Sequence, residues 1–137
     1  MNEWLPKFKG EILLAKIAEI SHGIVYISET DAAIETFAAG KRDAVDSRYL
    51  FEKDSHEKEV KEISLDRFLP RLREQRDWFG PGKKEKAKRF AKLEALLREN
   101  LRDLKVFKVG RIQIDIYVVG LDADNDLVGI KTKAVET

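Results

Sequence analysis

The residues best placed to do chemistry in this sequence are its last ones. Before and through the closing GIKTKAVET, Val128, Ile130, Thr132 and Ala134 alternate with Lys131, Lys133 and Val135, the period of two of a strand with one face on a core and the other toward water. A strand held as far as Val135 would fix the side chain of Glu136 and the terminal carboxylate of Thr137 side by side on the surface. Two positioned carboxylates suit a cationic partner.

The other reactive residue types do not assemble. His22 is expected at a helix end, where the dipole favours a cation, and His56 falls in a charged stretch. HEKE, from His56, lacks the second histidine that a helical zinc pair needs four residues on. DADNDL, Asp122 to Leu127, has aspartates where a calcium loop places its first ligands. It then has Leu127 in place of the turn glycine and Lys133 in place of the bidentate carboxylate. A solvated hairpin turn is expected there. GPGKK, from Gly80, has neither the spacing of a phosphate loop nor its hydroxyl, and reads as a helix start. In KKEKAKR, Lys84 and Lys88 begin a helical stripe that Lys92 continues, able to touch nucleic acid, but acids interrupt it and a solvated face is expected. Neither catalysis nor a metal or cofactor of its own is expected.

Composition narrows the partner. The 137 residues, 15.8 kDa, suit a single domain spanning 1–137. Lysine and arginine number 26 against 25 aspartates and glutamates, a balance that argues against covering a phosphate backbone directly. There is no cysteine, hence no disulfide or thiolate chemistry. No apolar run reaches the roughly eighteen residues a membrane span requires. MNEWLPKFKG has no apolar centre or cleavage site of a secretion signal, so a cytoplasmic location away from membranes is expected.

These tips need a scaffold. Phe8, Ile12, Leu13, Ile17 and Ile20 recur at helical spacing before Gly23, which predicts a first helix over Phe8–His22. The polar quartet Ser28–Asp31 reads as a loop and Ile34–Ala39 as a short strand, while residues 41–58 are ambiguous. Val60–Ile63 reads as a strand and Ser64 as the opening of a helix that Pro70 shortens or kinks. RDWFGPG is a loop before the longest helix, Lys83 to about Asp103, where Phe90, Leu93, Leu97, Leu101 and Leu104 step by three and four. Glu85 to Arg89 and Glu94 to Arg98 are expected as supporting pairs on its wet side. Lys105–Val109, Arg111–Val119 and Asp126–Glu136 read as three antiparallel strands, the middle one with Ile112, Ile114, Ile116 and Val118 on its apolar face. Tyr117 falls on its opposite, polar face. The order of elements suggests an α+β fold with helices against a mainly antiparallel sheet.

Three stretches, GIVYISETDAAIETF, DWF, and KVFKVGRIQIDIYVVG continued by GLDADNDLVGIKTKAVET, together resemble the nuclease A inhibitor family of small bacterial proteins, over about Gly10 to Thr137. The resemblance implies an α/β/α sandwich and a protein that plugs the active site of a metal-dependent endonuclease cutting both DNA and RNA. By that resemblance Glu29 enters the phosphate-binding site, Trp78 anchors the contact, and the carboxylate of Thr137 approaches the metal region. Ser28 and Thr30 flank Glu29, and Glu136 precedes the terminus. Arg76 stands where the family pattern has a neutral glutamine, so it either turns away from a cationic site or marks a different target. The divalent metal would belong to the nuclease, direct nucleic-acid contact is not implied, and a monomer is expected. The alternatives are a domain of the same fold with a non-nuclease partner, or weak nucleic-acid binding through Lys84, Lys88 and Lys92.

Overall fold

The computed structural model describes residues 6–22, 25–27, 31–50, 59–68 and 83–135. Helix α1 spans Gly10–Ser21 and places Leu13 and Ile17 against the core, one turn apart. Gly10, an apparent fault inside the longer helix expected from sequence, is its first residue, and its φ of 56° is one that glycine adopts freely. Strands β1 (Val25–Ile27) and β2 (Asp31–Ala33) form a two-stranded antiparallel ribbon. Asp31, expected in the loop, is therefore a strand residue, while Ser28, Glu29 and Thr30 lie outside the described residues. Strand β3 (Glu35–Lys41) follows, with a single 3-10 turn at Ser47–Tyr49. Strand β4 (Val60–Ile63) then leads to a helical segment, α2, described over 65–68.

Helix α3 spans Lys83–Asn100, and β5 (Arg102–Gly110), β6 (Gln113–Leu121) and β7 (Asp126–Val135) complete the chain. The main sheet is antiparallel throughout, in the order β3-β7-β6-β5-β4. Helix α3 stops three residues before the expected Asp103. Leu104 continues the helical spacing, yet the chain has already entered β5 at Arg102, through an irregular register between Arg102 and Lys105 in which Asp103 takes a φ of 55°. The helix face carries Leu96 beside the expected Phe90, Leu93 and Leu97, and Leu101 is buried just past its end. Glu94 and Arg98 do pair, at 3.7 Å, and Arg98 also reaches Asp66 at 3.3 Å. Arg89 donates to the carbonyl of Glu19 on α1, and the side chain of Glu85, its expected partner, lies outside the described residues.

Both faces of the sheet are covered. Leu13, Ile17, Phe90, Leu93 and Leu97 from the helices meet Val106, Ile114, Ile116, Val118, Val128 and Ile130 on one face. On the other, Phe107, Val109, Tyr117, Val119, Leu121 and Leu127 lie beneath Val45 and Leu50, which flank the 3-10 turn. The α+β class is as expected, with the helices among the described residues gathered on the first face. Two readings of β6 are corrected, one by its central position and one by where it starts. Tyr117, assigned to the polar side, is 3% exposed because that side is also packed. Ile112, assigned to the apolar face, lies in the turn before the strand and is 60% exposed.

Candidate functional site

Ser28, Glu29, Thr30, Arg76, Trp78, Glu136 and Thr137 all lie outside the described residues, as does His56. What the structure describes is the frame that leads to two of these segments. Ile27 pairs with Asp31 across the β1–β2 ribbon, leaving three residues, 28–30, between the paired ends. Strand β7 remains in register as far as Val135, opposite Gln113 of β6. Both β1 and β2 contact β7, and the hydroxyl of Thr132 donates to the carbonyl of Ala33 at 3.0 Å. The frame around Glu29 and the strand ending before Glu136 are thus brought to one region of the fold.

That junction follows from where β3 leaves β7. Glu35 is the first β3 residue paired with β7, opposite Lys131, and the chain before it turns at the buried Ile34 to join β1 instead. A depression of about 160 Å³ opens there, lined by Ala32, Ala33, Glu35, Lys131, Thr132 and Lys133. On the adjoining sheet face, Lys131 Nζ lies 5.3 Å from the centre of the Tyr117 ring, and Phe37 meets the same ring edge-on at 5.2 Å. Burial pushes the Tyr117 phenol above its ordinary pKa, with Lys131 opposing the shift through its charge and a hydrogen bond.

The acidic turn Asp122–Asn125 corrects another expectation. Asp122 is fully buried rather than solvated. Its Oδ1 accepts from the backbone N–H groups of Asp124 and Asp126, at 2.8 and 3.0 Å, while Oδ2 accepts from that of Gly10 at 2.9 Å. The first two bonds shape the hairpin, as an aspartate at the head of a turn does. The third places a carboxylate at the positive end of α1. Lys9 and Asp124 add an exposed ion pair at 3.1 Å. Buried Asn100 makes the matching connection from α3, accepting from the N–H groups of Lys7 and Phe8 at 2.8 and 2.9 Å and donating to Leu96 at 2.9 Å. His22 caps the far end of α1 through its backbone and is exposed. Among the described residues, no group of three or more histidines, aspartates or glutamates is arranged to hold a metal ion. No described helix is long and apolar enough to cross a membrane.

A family model described as NuiA, nuclease A inhibitor-like protein, matches residues 11–137. The chain belongs to the nuclease A inhibitor-like family. The match takes in α1, the β1–β2 ribbon and all five strands of the main sheet, and it runs through Thr137. The family's name points to inhibition of a nuclease, which is an interaction between proteins. No curated protein matches the chain.

Proposed function

We propose that this member of the nuclease A inhibitor-like family binds and occludes the active site of a metal-dependent, sugar-nonspecific nuclease, with Glu29 and the Thr137 carboxylate standing in for substrate phosphate. Such an active site gathers cations to stabilise an anionic phosphodiester, and a carboxylate satisfies the same cations while offering no bond to cleave. Trp78 would supply the large apolar anchor typical of contact centres. Ser28, Thr30 and Glu136 would line the same contact, with Arg76 at its margin. The chain would act as a monomer in the cytoplasm, and the divalent metal would be the nuclease's own.

The observation that carries this reading is the family match running to residue 137, and the Thr132–Ala33 hydrogen bond supports it by tying together the elements that lead to both carboxylates. The test is to titrate the purified protein into a sugar-nonspecific, metal-dependent endonuclease and follow plasmid cleavage. Cleavage should fall to background near one equivalent. Unchanged cleavage at several-fold excess, together with a pull-down that returns a different protein, would favour a non-nuclease partner, which the cation at Arg76 would suit.

A further inference from the structure

Toward its end, β7 carries two cations. Lys131 and Lys133 occupy the same sheet face as Tyr117 and Asp115 of β6, which they oppose in register. Lys131 is settled over the Tyr117 ring, itself buried. Lys133 is exposed, and although it lies across from Asp115 it makes no ion pair with any described residue. Both line the depression between β2 and β7, whose Ala32 and Ala33 leave room beside them. Among the described residues of that lining, Glu35 is the one acid against the two lysines.

A lysine four residues before a carboxylate meant for a cationic cleft is repelled by that cleft unless the target supplies a negative group next to it. Resting on the function proposed above, we propose that this depression is a second contact, in which Lys131 and Lys133 receive an aspartate or glutamate side chain from the rim of the target nuclease. The two contacts then have opposite polarity. Anionic tips alone would enter any cleft that binds phosphodiester, whereas the lysine pair selects those with a carboxylate at the right distance from it, and repels those with a basic rim.

The experiment measures association and dissociation of the wild-type chain, Lys133→Glu and Lys133→Gln with the nuclease of the plasmid assay, at several salt concentrations. Lys133→Glu should weaken binding about tenfold, mostly through slower association with a shallower salt dependence, and Lys133→Gln by a few-fold. Because the glutamate would face Asp115 across the strands, thermal unfolding is compared for both variants, and the glutamine variant decides if the other is unstable. Equal or tighter binding by the variants is what a lysine merely opposing a cationic cleft would give. That outcome overturns the second contact while leaving inhibition intact. Failure of the wild-type chain to bind any such nuclease overturns both.

Discussion

At the residue scale, the proposed function rests on carboxylates at two separate places in the sequence. Glu29→Ala, and separately removal of Thr137, should each weaken inhibition at least tenfold, the lower end of what losing a charge-assisted contact at an interface centre costs. Their melting temperatures should match the wild-type value, and coincident melting curves with an unchanged inhibition constant would remove these residues from the contact. Tyr117 makes a second prediction. Burial holds its proton to higher pH than in the unfolded chain, where the phenol titrates near 10.0. Its contribution to stability is complete below that pH and is lost as pH rises through it toward the folded pKa. Urea midpoints between about pH 9 and pH 11 should therefore fall further for the wild-type chain than for Tyr117→Phe. Equal slopes would mean that the phenol is not held in the packed environment. Little of this was visible in sequence, since QIDIYVVGL shows which residues alternate but not that both sides of the strand are covered.

At the scale of elements, periodic segments were legible and junctions were not. The repeated three-and-four spacing from Phe90 onward is enough to define a helix, and the alternation through Ile114, Ile116 and Val118 enough to define a strand. Between them, Leu104 satisfies both patterns, three residues after Leu101 and two before Val106, and only the irregular pairing at Arg102–Lys105 settles where one ends. Asp122 shows a deeper limit. Its place at the head of an acidic turn could have indicated an aspartate bonded to its own loop. Nothing local could reveal that α1 arrives from 112 residues away to be capped by the same carboxylate. Asp122→Ala should lower unfolding free energy by about 3 kcal/mol in urea titration, because backbone N–H groups lose a buried acceptor. Asp124→Ala, which removes only the exposed pair with Lys9, should cost under about 0.5 kcal/mol. Equal costs would show that the turn, and not the seat of α1, sets the stability of this region.

For the whole molecule, the central strand β6 contributes to both apolar layers, Ile114, Ile116 and Val118 to one and Tyr117, Val119 and Leu121 to the other. Neither layer can be lost without exposing the strand that supports the other, so one cooperative transition is expected. Leu97→Ala on α3 and Val119→Ala on the opposite face of the sheet should each shift that same transition, with calorimetric and van't Hoff enthalpies in agreement. Two resolved transitions would mean that the layers fold independently. The near balance of charge, +1 overall, was legible from composition. That Lys131 and Lys133 line a depression with Ala33 and Glu35 was not, because it depends on where β3 parts from β7.

Asn100 holds the N-terminal segment by the main chain alone, through the N–H groups of Lys7 and Phe8. Over evolutionary time, position 7 can therefore drift in charge and size without loosening that seam, while Phe8 is constrained further because it also packs on the core. The substitution neither can accept is proline. One already stands at position 6, the last place before the seam where a missing hydrogen goes unnoticed.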